Sequence, residues 1–153
     1  AQSELNKKEK EAITRLSRVG YDNTLGYLEG GFETWQKAGK NTEKIDCISA
    51  VDFAKSYNAE NYKVLDVRKK GEFEAEHVLA AEHFSLGDIN TNMNQISTED
   101  AYHVYCAGGY RSVIAISILK ARGFNKLTNI IEGFGGLKET TIPKTEYVCP
   151  TTL

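Results

Sequence analysis

The sequence has few cysteines, and they lie far apart. Its 153 residues include three, Cys47, Cys106 and Cys149. An odd number at this spacing does not make the disulfide framework of a small secreted domain, and no close pair has the spacing of metal ligands. We therefore expect a reducing, cytoplasmic setting, with no metal and no cofactor.

Long apolar runs and a strong excess of one charge are also missing. No stretch approaches the roughly 18 apolar residues of a membrane span, and residues 1–11 lack the apolar core of a signal peptide. The formal net charge is -2, from 19 basic and 21 acidic residues. Because no general attraction to nucleic acid or anionic membrane follows from this balance, we expect neither among the partners.

Proline is scarce, with only Pro143 and Pro150. Ser49 has the form of a capping residue for a helix reaching about residue 57. Short apolar segments at 62–66, 81–84 and 102–105 predict strands. Strands alternating with helices are typical of a mostly parallel α/β sheet, so we expect one complete domain over residues 45–144 and a tail over 145–153.

The chain contains an internal sequence repeat, called the internal echo below, whose two copies lie near its two ends. Residues 12–30 resemble residues 115–133 in a gapless frame of 103, which places Gly20 opposite Gly123 and Gly30 opposite Gly133. Each copy predicts a helix, a glycine cap, a short strand and a second short helix, at 32–37 and 134–139. Chance recurrence of this pattern is the alternative, which the constant frame disfavours. Ser3 falls opposite Cys106, so the first copy has no nucleophile.

The second copy follows a loop suited to thiolate chemistry. A strand ending at Tyr105 leads into the loop, whose residues are Cys106, Ala107, Gly108, Gly109, Tyr110, Arg111 and Ser112. Small residues let backbone N–H groups turn towards the sulfur, and the next helix adds the positive end of its dipole. Both should lower the pKa of the Cys106 thiol. The alternative is a buried structural cysteine beside a glycine turn.

This loop resembles the active-site loop of rhodaneses, the thiosulfate and persulfide sulfurtransferases, and residues 65–68 with Glu72 and His77 resemble their other signature. The resemblance implies a rhodanese-like fold, with a mostly parallel sheet of about five strands flanked by helices. It implies that Cys106 carries sulfur as a persulfide. The backbone of residues 107–111 and the Arg111 side chain would hold anionic groups of a small-molecule sulfur donor, and a thiol would accept the sulfur.

The supporting residues have two interpretations each. Asp66 and Arg68 follow a predicted strand and can reach the same sheet edge as Cys106. In the structural interpretation Asp66 caps a turn or binds a cation and Arg68 pairs with Glu72; in the functional one Arg68 assists an anionic substrate. We expect His77 to fix its loop by hydrogen bonds, and Ser112 and Glu72 to support the site.

Three functions remain open from the sequence. The first is sulfur transfer through Cys106, and the second is a non-catalytic module in which the fold binds a partner or senses an anion. The third is phosphatase or arsenate reductase chemistry, which is disfavoured because the loop from Cys106 to Arg111 has six residues, one fewer than in those related enzymes. Residues 1–44 resemble the last part of a degenerate rhodanese repeat. The whole chain resembles the C-terminal part of metallo-β-lactamase–rhodanese fusion proteins, which implies an upstream metallo-β-lactamase-like domain.

Overall fold

The structure is a computed structural model that describes residues 2–18, 20, 22–58 and 62–149, with side chains from residue 8 onwards. The chain divides into two compact units, Ala1–Glu43 and Lys44–Leu153. The boundary falls one residue from the one that we predicted for the first repeat. Whether the first unit is a degenerate repeat stays a prediction.

The described residues of the first unit form two helices, α1 (Gln2–Ser17) and α2 (Gly31–Lys37). The second short helix of the first copy therefore forms where the echo predicts it. The predicted strand between the helices was wrong, because residues 22–28 form no strand. A strand needs a hydrogen-bonded neighbour, and the described residues of this unit contain no other strand to supply one.

The second unit is built on five parallel strands in the order β1-β5-β4-β2-β3, which confirms the predicted sheet. They are β1 (Asp46–Ile48), β2 (Lys63–Asp66), β3 (Ala81–His83), β4 (Tyr102–Tyr105) and β5 (Leu127–Ile130). The helices are α3 (Ala50–Ser56), α4 (Lys70–Ala75), α5 (Tyr110–Lys120) and α6 (Gly133–Lys138). As predicted, Ser49 caps α3, its hydroxyl oxygen accepting a hydrogen bond from the Asp52 amide at 3.0 Å.

Apolar side chains cover both faces of the sheet. Val104 and Cys106 belong to a cluster that includes Ile116 and Leu119 of α5. Tyr105 lies in the opposite cluster, with Phe53 of α3 and residues of α6. This alternation is the period of two that a strand imposes. It carries Cys106 to the end of a central, buried strand with its side chain on the α5 face.

The C-terminal strap, defined here as residues 143–148, runs antiparallel to residues 75–79. Backbone amides of Leu79, Thr145 and Val148 donate hydrogen bonds of 2.8 to 2.9 Å to Pro143, His77 and Ala75 respectively. The predicted tail is therefore attached to the second unit over this length. Among the described residues no helix is both long and apolar enough to cross a membrane.

Candidate functional site

The carboxyl edge of the sheet brings together three segments that are distant in sequence. Arg68 follows β2, Cys106 follows β4 and Gly133 follows β5. The three strands are neighbours and parallel, so their carboxyl ends meet at one edge, where open α/β sheets place their sites.

The Cys106 sulfur is buried and hydrogen-bonded. Only 1% of the residue is exposed. The Gly109 amide donates to Sγ at 3.2 Å, and the Ser112 hydroxyl lies 3.6 Å from Sγ. That hydroxyl is also 3.0 Å from the Gly109 carbonyl oxygen, so its single proton can serve either acceptor. A thiolate at this position would be the stronger acceptor.

Helix α6 orients the loop from behind. The Phe134 amide donates to the Cys106 carbonyl at 2.6 Å, and the Gly135 amide donates to the Ala107 carbonyl at 2.9 Å. In a trans peptide the N–H points away from the C=O. The amides of Ala107 and Gly108 are therefore turned away from α6. Helix α6 therefore fixes the direction of these two amides, a contribution that the sequence did not reveal.

The surroundings lower the pKa of the Cys106 thiol. Burial alone would raise it, but hydrogen bonds from the Ser112 hydroxyl and from the amides of Ser112, Gly108 and Gly109 outweigh burial. The N-terminus of α5 lies at the same point and also favours a negative sulfur. We predicted a helix beginning near Ser112; it begins at Tyr110, so its first turn is closer to the sulfur than expected.

Gly109 is required by the shape of the loop. Its φ is 89°, in the left-handed region, and a Cβ there would collide with the carbonyl oxygen of Ile131. Gly108 has neither constraint, because a Cβ on it would meet nothing within 4 Å. The two adjacent glycines therefore differ, and Gly109 alone holds the bend that delivers its amide to Sγ.

Arg111 lies at the rim of the loop in a two-pronged ion pair with Glu72. Its two terminal nitrogens are 2.7 and 2.8 Å from the Glu72 carboxylate oxygens, and its side chain is 31% exposed. The hydrogen bonds from Arg111 lower the pKa of Glu72 to about 2. Arginine has five N–H donors, so Arg111 keeps donors for an anion while Glu72 offsets much of its charge.

Arg68 is buried in a different pair. Its guanidinium donates to both Asp66 carboxylate oxygens at 2.6 to 3.0 Å and to the Glu76 carbonyl at 2.7 Å, and lies 4.1 Å above the Phe134 ring. The predicted ion pair between Arg68 and Glu72 was wrong. Glu72 pairs with Arg111, and Arg68 pairs with Asp66. With 5% of Arg68 exposed, its arrangement is that of a structural pair. Substrate binding by Arg68 stays a prediction.

The other predicted residues surround this centre. His77 accepts a hydrogen bond at its carbonyl, donates one from its amide to Thr145, and places Nδ1 2.7 Å from the Phe73 carbonyl. A carbonyl only accepts, so Nδ1 carries the proton. Ala107, Gly108 and Tyr110 are exposed, and Ser112 is buried. His77 is thus held in a network that fixes its loop; the catalytic and binding roles of the set stay predictions.

The two other cysteines of the chain lie outside the Cys106 loop. Cys47 and Cys149 are exposed thiols. Among the described side chains no three His, Cys, Asp or Glu residues come together in a way that could hold a metal. What the edge of the sheet does provide is a thiol with a lowered pKa, backbone donors and a partly neutralised arginine, a set that favours nucleophilic attack by sulfur.

Comparison with known families and sequences points to one group. The family model for the rhodanese-like domain matches residues 49–140. "Putative sulfur carrier protein YrkF" of Bacillus subtilis (strain 168) is 29% identical over 99 residues, which cover 64% of this chain and 54% of that protein. The chain spans about half the length of the curated relatives that it matches.

Solved structures share the fold. A rhodanese-related protein from Thermoplasma volcanium superposes with a TM-score of 0.59 at 24% identity, over 65% of this chain and 97% of that one. A Rhodopseudomonas palustris protein of unknown function, described as "possible tyrosine phosphatase", gives a TM-score of 0.55 at 18% identity over 79% and 96%. At these identities the likeness concerns the fold alone.

Proposed function

Because the chain belongs to the rhodanese-like domain family, we propose that it is a sulfurtransferase whose Cys106 carries sulfane sulfur from a persulfide or thiosulfate donor to an acceptor thiol. The observation that carries this proposal is the environment of Cys106. Its buried sulfur receives the Gly109 amide hydrogen bond, lies beside the Ser112 hydroxyl and faces the first turn of α5. A relative with "sulfur carrier" in its name supports the same chemistry.

The reaction has two displacement steps. The Cys106 thiolate attacks the outer sulfur of the donor, and a new S–S bond forms as the donor's own S–S bond breaks. The electron pair leaves on the inner sulfur, as a thiolate from a persulfide or as sulfite from thiosulfate. An acceptor thiolate then attacks the outer sulfur of the Cys106 persulfide and regenerates the Cys106 thiolate, so no net oxidant is needed.

The loop residues have separate roles in these steps. Cys106 is the nucleophile, and the amides of Gly108, Gly109 and Ser112 stabilise negative charge on its sulfur before and after transfer. Once sulfur is bound, the charge moves outward by one S–S bond. Ala107 and Gly108 are exposed, and their amides together with the remaining donors of Arg111 would receive this charge. The lowered pKa of the Cys106 thiol reduces the need for a general base.

The ion pair of Arg111 with Glu72 bears on the choice of donor. A site meant for a doubly charged oxyanion would gain from an uncompensated cation, whereas here a carboxylate binds the guanidinium in two places. This arrangement favours singly charged persulfides over thiosulfate. It also argues against phosphate ester hydrolysis, as does the six-residue span from Cys106 to Arg111.

The proposal is tested by comparing sulfur transfer in four proteins. We expect wild type, Cys47→Ser and Cys149→Ser to form thiocyanate from cyanide with either donor, and Cys106→Ser to be inactive while keeping its thermal unfolding transition. A serine hydroxyl does not ionise near neutral pH and cannot hold a persulfide. Activity retained in Cys106→Ser, or absent from all four folded proteins, would refute the proposal.

A further inference from the structure

The segment that follows β5 holds the start of the Cys106 loop, and we call its residues 131–135 the loop cradle. The amides of Phe134 and Gly135 donate to the carbonyl oxygens of Cys106 and Ala107 at 2.6 and 2.9 Å respectively. Two consecutive peptide groups of the loop are thus bonded to two consecutive amides of the cradle. The position of the cradle therefore decides where these loop peptides lie.

Gly135 leaves little room at this contact. A Cβ on Gly135 would lie 3.3 Å from the Ala107 carbonyl oxygen, so that carbonyl would have to move by a few tenths of an ångström. The same peptide plane carries the Gly108 amide, which donates a hydrogen bond to the Cys106 sulfur. A side chain at residue 135 would therefore redirect a donor of the sulfur through the loop backbone.

Glu132 fixes the cradle to another part of the domain. Its carboxylate Oε2 accepts a hydrogen bond of 2.7 Å from the amide of Ala50, the first residue of α3 and 82 positions away in sequence. A helix leaves its first amides without partners of its own, so this carboxylate satisfies one of them. The two helices are close here, because a Cβ on Gly136 would lie 2.9 Å from the Ala50 Cβ. Glu132 therefore joins the start of α6 to the start of α3.

We propose that Glu132 and Gly135 are positioning residues for sulfur transfer, Glu132 by anchoring the cradle to α3 and Gly135 by letting its amide reach the loop. The proposal rests on the proposed function and adds the residues that aim the loop amides. Hydrogen bonds weaken steeply as their geometry departs from linear. A displaced cradle would thus stabilise negative charge on the Cys106 sulfur less well.

The direction of the effect separates positioning from a direct charge effect at Glu132. Removing a negative charge would by itself favour the Cys106 thiolate and raise the ionisation constant of the thiol. Losing the anchor would turn the loop amides and lower that constant. Glu132→Ala loses both the charge and the anchor, whereas Glu132→Gln keeps an oxygen that can accept from the Ala50 amide. Positioning therefore predicts a lower constant in Glu132→Ala and rescue in Glu132→Gln.

Gly135→Ala tests the contact with Ala107 independently of charge. Its matched control is Gly71→Ala in α4, another short helix, where a Cβ would meet nothing within 4 Å. Both substitutions place an alanine in a helix and raise its helix propensity. A difference between the two variants therefore reports the contact with the loop.

The first measurement is the pH dependence of Cys106 alkylation by iodoacetamide in a background with serine at positions 47 and 149. We expect the ionisation constant of the thiol to fall about threefold in Glu132→Ala and Gly135→Ala, the size of one weakened hydrogen bond. Glu132→Gln and Gly71→Ala should keep the wild-type constant. Thermal unfolding shows which variants are folded, and Gly135→Ala decides if Glu132→Ala is not. An unchanged constant in Gly135→Ala, or a raised one in folded Glu132→Ala, would overturn the proposal.

The second measurement is sulfur transfer from glutathione persulfide to cyanide. We expect kcat/KM to fall in Glu132→Ala and Gly135→Ala and to stay at the wild-type value in Glu132→Gln and Gly71→Ala. If the first two variants transfer sulfur as fast as wild type, the positioning proposal fails and the proposed function stands. If wild type transfers no sulfur, the proposed function fails, and the alkylation experiment still decides whether the two residues position the loop.

Discussion

At the scale of single residues, the chemistry depends on competition for hydrogen bonds and charges around one sulfur. Burial opposes ionisation of Cys106, and four donors from Gly108, Gly109 and Ser112 overcome it. The same balance separates the two arginines. Arg68 is held by Asp66 inside the domain, whereas Arg111 is held by Glu72 at the surface.

Ser112→Ala should raise the pKa of the Cys106 thiol, because the hydroxyl that stabilises the thiolate is lost. In a background lacking Cys47 and Cys149, we expect iodoacetamide to react with Cys106 about fivefold more slowly at pH 7, which corresponds to one hydrogen bond of ~1 kcal/mol. The matched control is Ser117→Ala in the same helix, whose hydroxyl bonds the Val113 carbonyl and is remote from the sulfur. Equal rates for Ser112→Ala and wild type would contradict this account of the pKa.

Glu72→Gln should lower the free energy of unfolding near neutral pH. The pKa of the Glu72 carboxyl is about 2 in the folded protein, against an ordinary value of 4.5. The ionised carboxylate therefore stabilises the folded protein fully above pH 4.5, and this contribution is lost as the pH falls towards 2. Since the side chain is 36% exposed, solvent screening reduces the effect to ~1 kcal/mol. Urea unfolding of both proteins should show a difference that narrows below pH 4.5. A difference independent of pH would exclude the ion pair as its cause.

At the scale of elements, the sequence predicted the parts of the site that depend on periodicity and on local motifs. The strand ending at Tyr105, the Ser49 cap and the position of α6 follow from such patterns. The sequence could not predict that Glu72 pairs with Arg111 and not with Arg68. The two residues are 39 positions apart in the sequence, and they come together only because α4 packs on the loop. The strap was equally hidden, since its bonds are to backbone atoms and carry no sequence signal.

Gly109→Ala should damage the loop more than the equivalent change at either of two other glycines. Gly109 has both a left-handed φ and a backbone oxygen where Cβ would lie; Gly123 has only the left-handed φ, at 94°; Gly108 has neither. Placing an alanine in the left-handed backbone conformation lowers the free energy of unfolding by roughly 1–2 kcal/mol. We expect no loss of stability for Gly108→Ala, a loss of that size for Gly123→Ala and a larger one for Gly109→Ala, measured by urea unfolding. Similar losses for Gly109→Ala and Gly123→Ala would show that the contact with Ile131 is unimportant.

At the scale of the whole molecule, the internal echo and the structure agree on helices and differ on the strand. In the second unit β5 lies between β1 and β4, so its residues have partners on both sides. The echoed residues 22–28 are not in a strand. Local sequence similarity thus predicted α2 correctly, because a helix makes its hydrogen bonds within its own segment. It did not predict the missing strand, because a strand depends on hydrogen bonds to neighbouring strands. The upstream metallo-β-lactamase-like domain that the resemblance implies stays a prediction.

The central claim is that Cys106, and neither of the other thiols, carries the transferred sulfur. The most direct test is intact mass spectrometry with peptide mapping after incubation with thiosulfate or glutathione persulfide and removal of the donor. We predict a gain of one sulfur atom located on Cys106 in wild type and in a Cys47→Ser, Cys149→Ser double variant, which disappears when cyanide is added. A protein that gains no sulfur with either donor, or that gains it on Cys47 or Cys149 when Cys106 is serine, would contradict the claim.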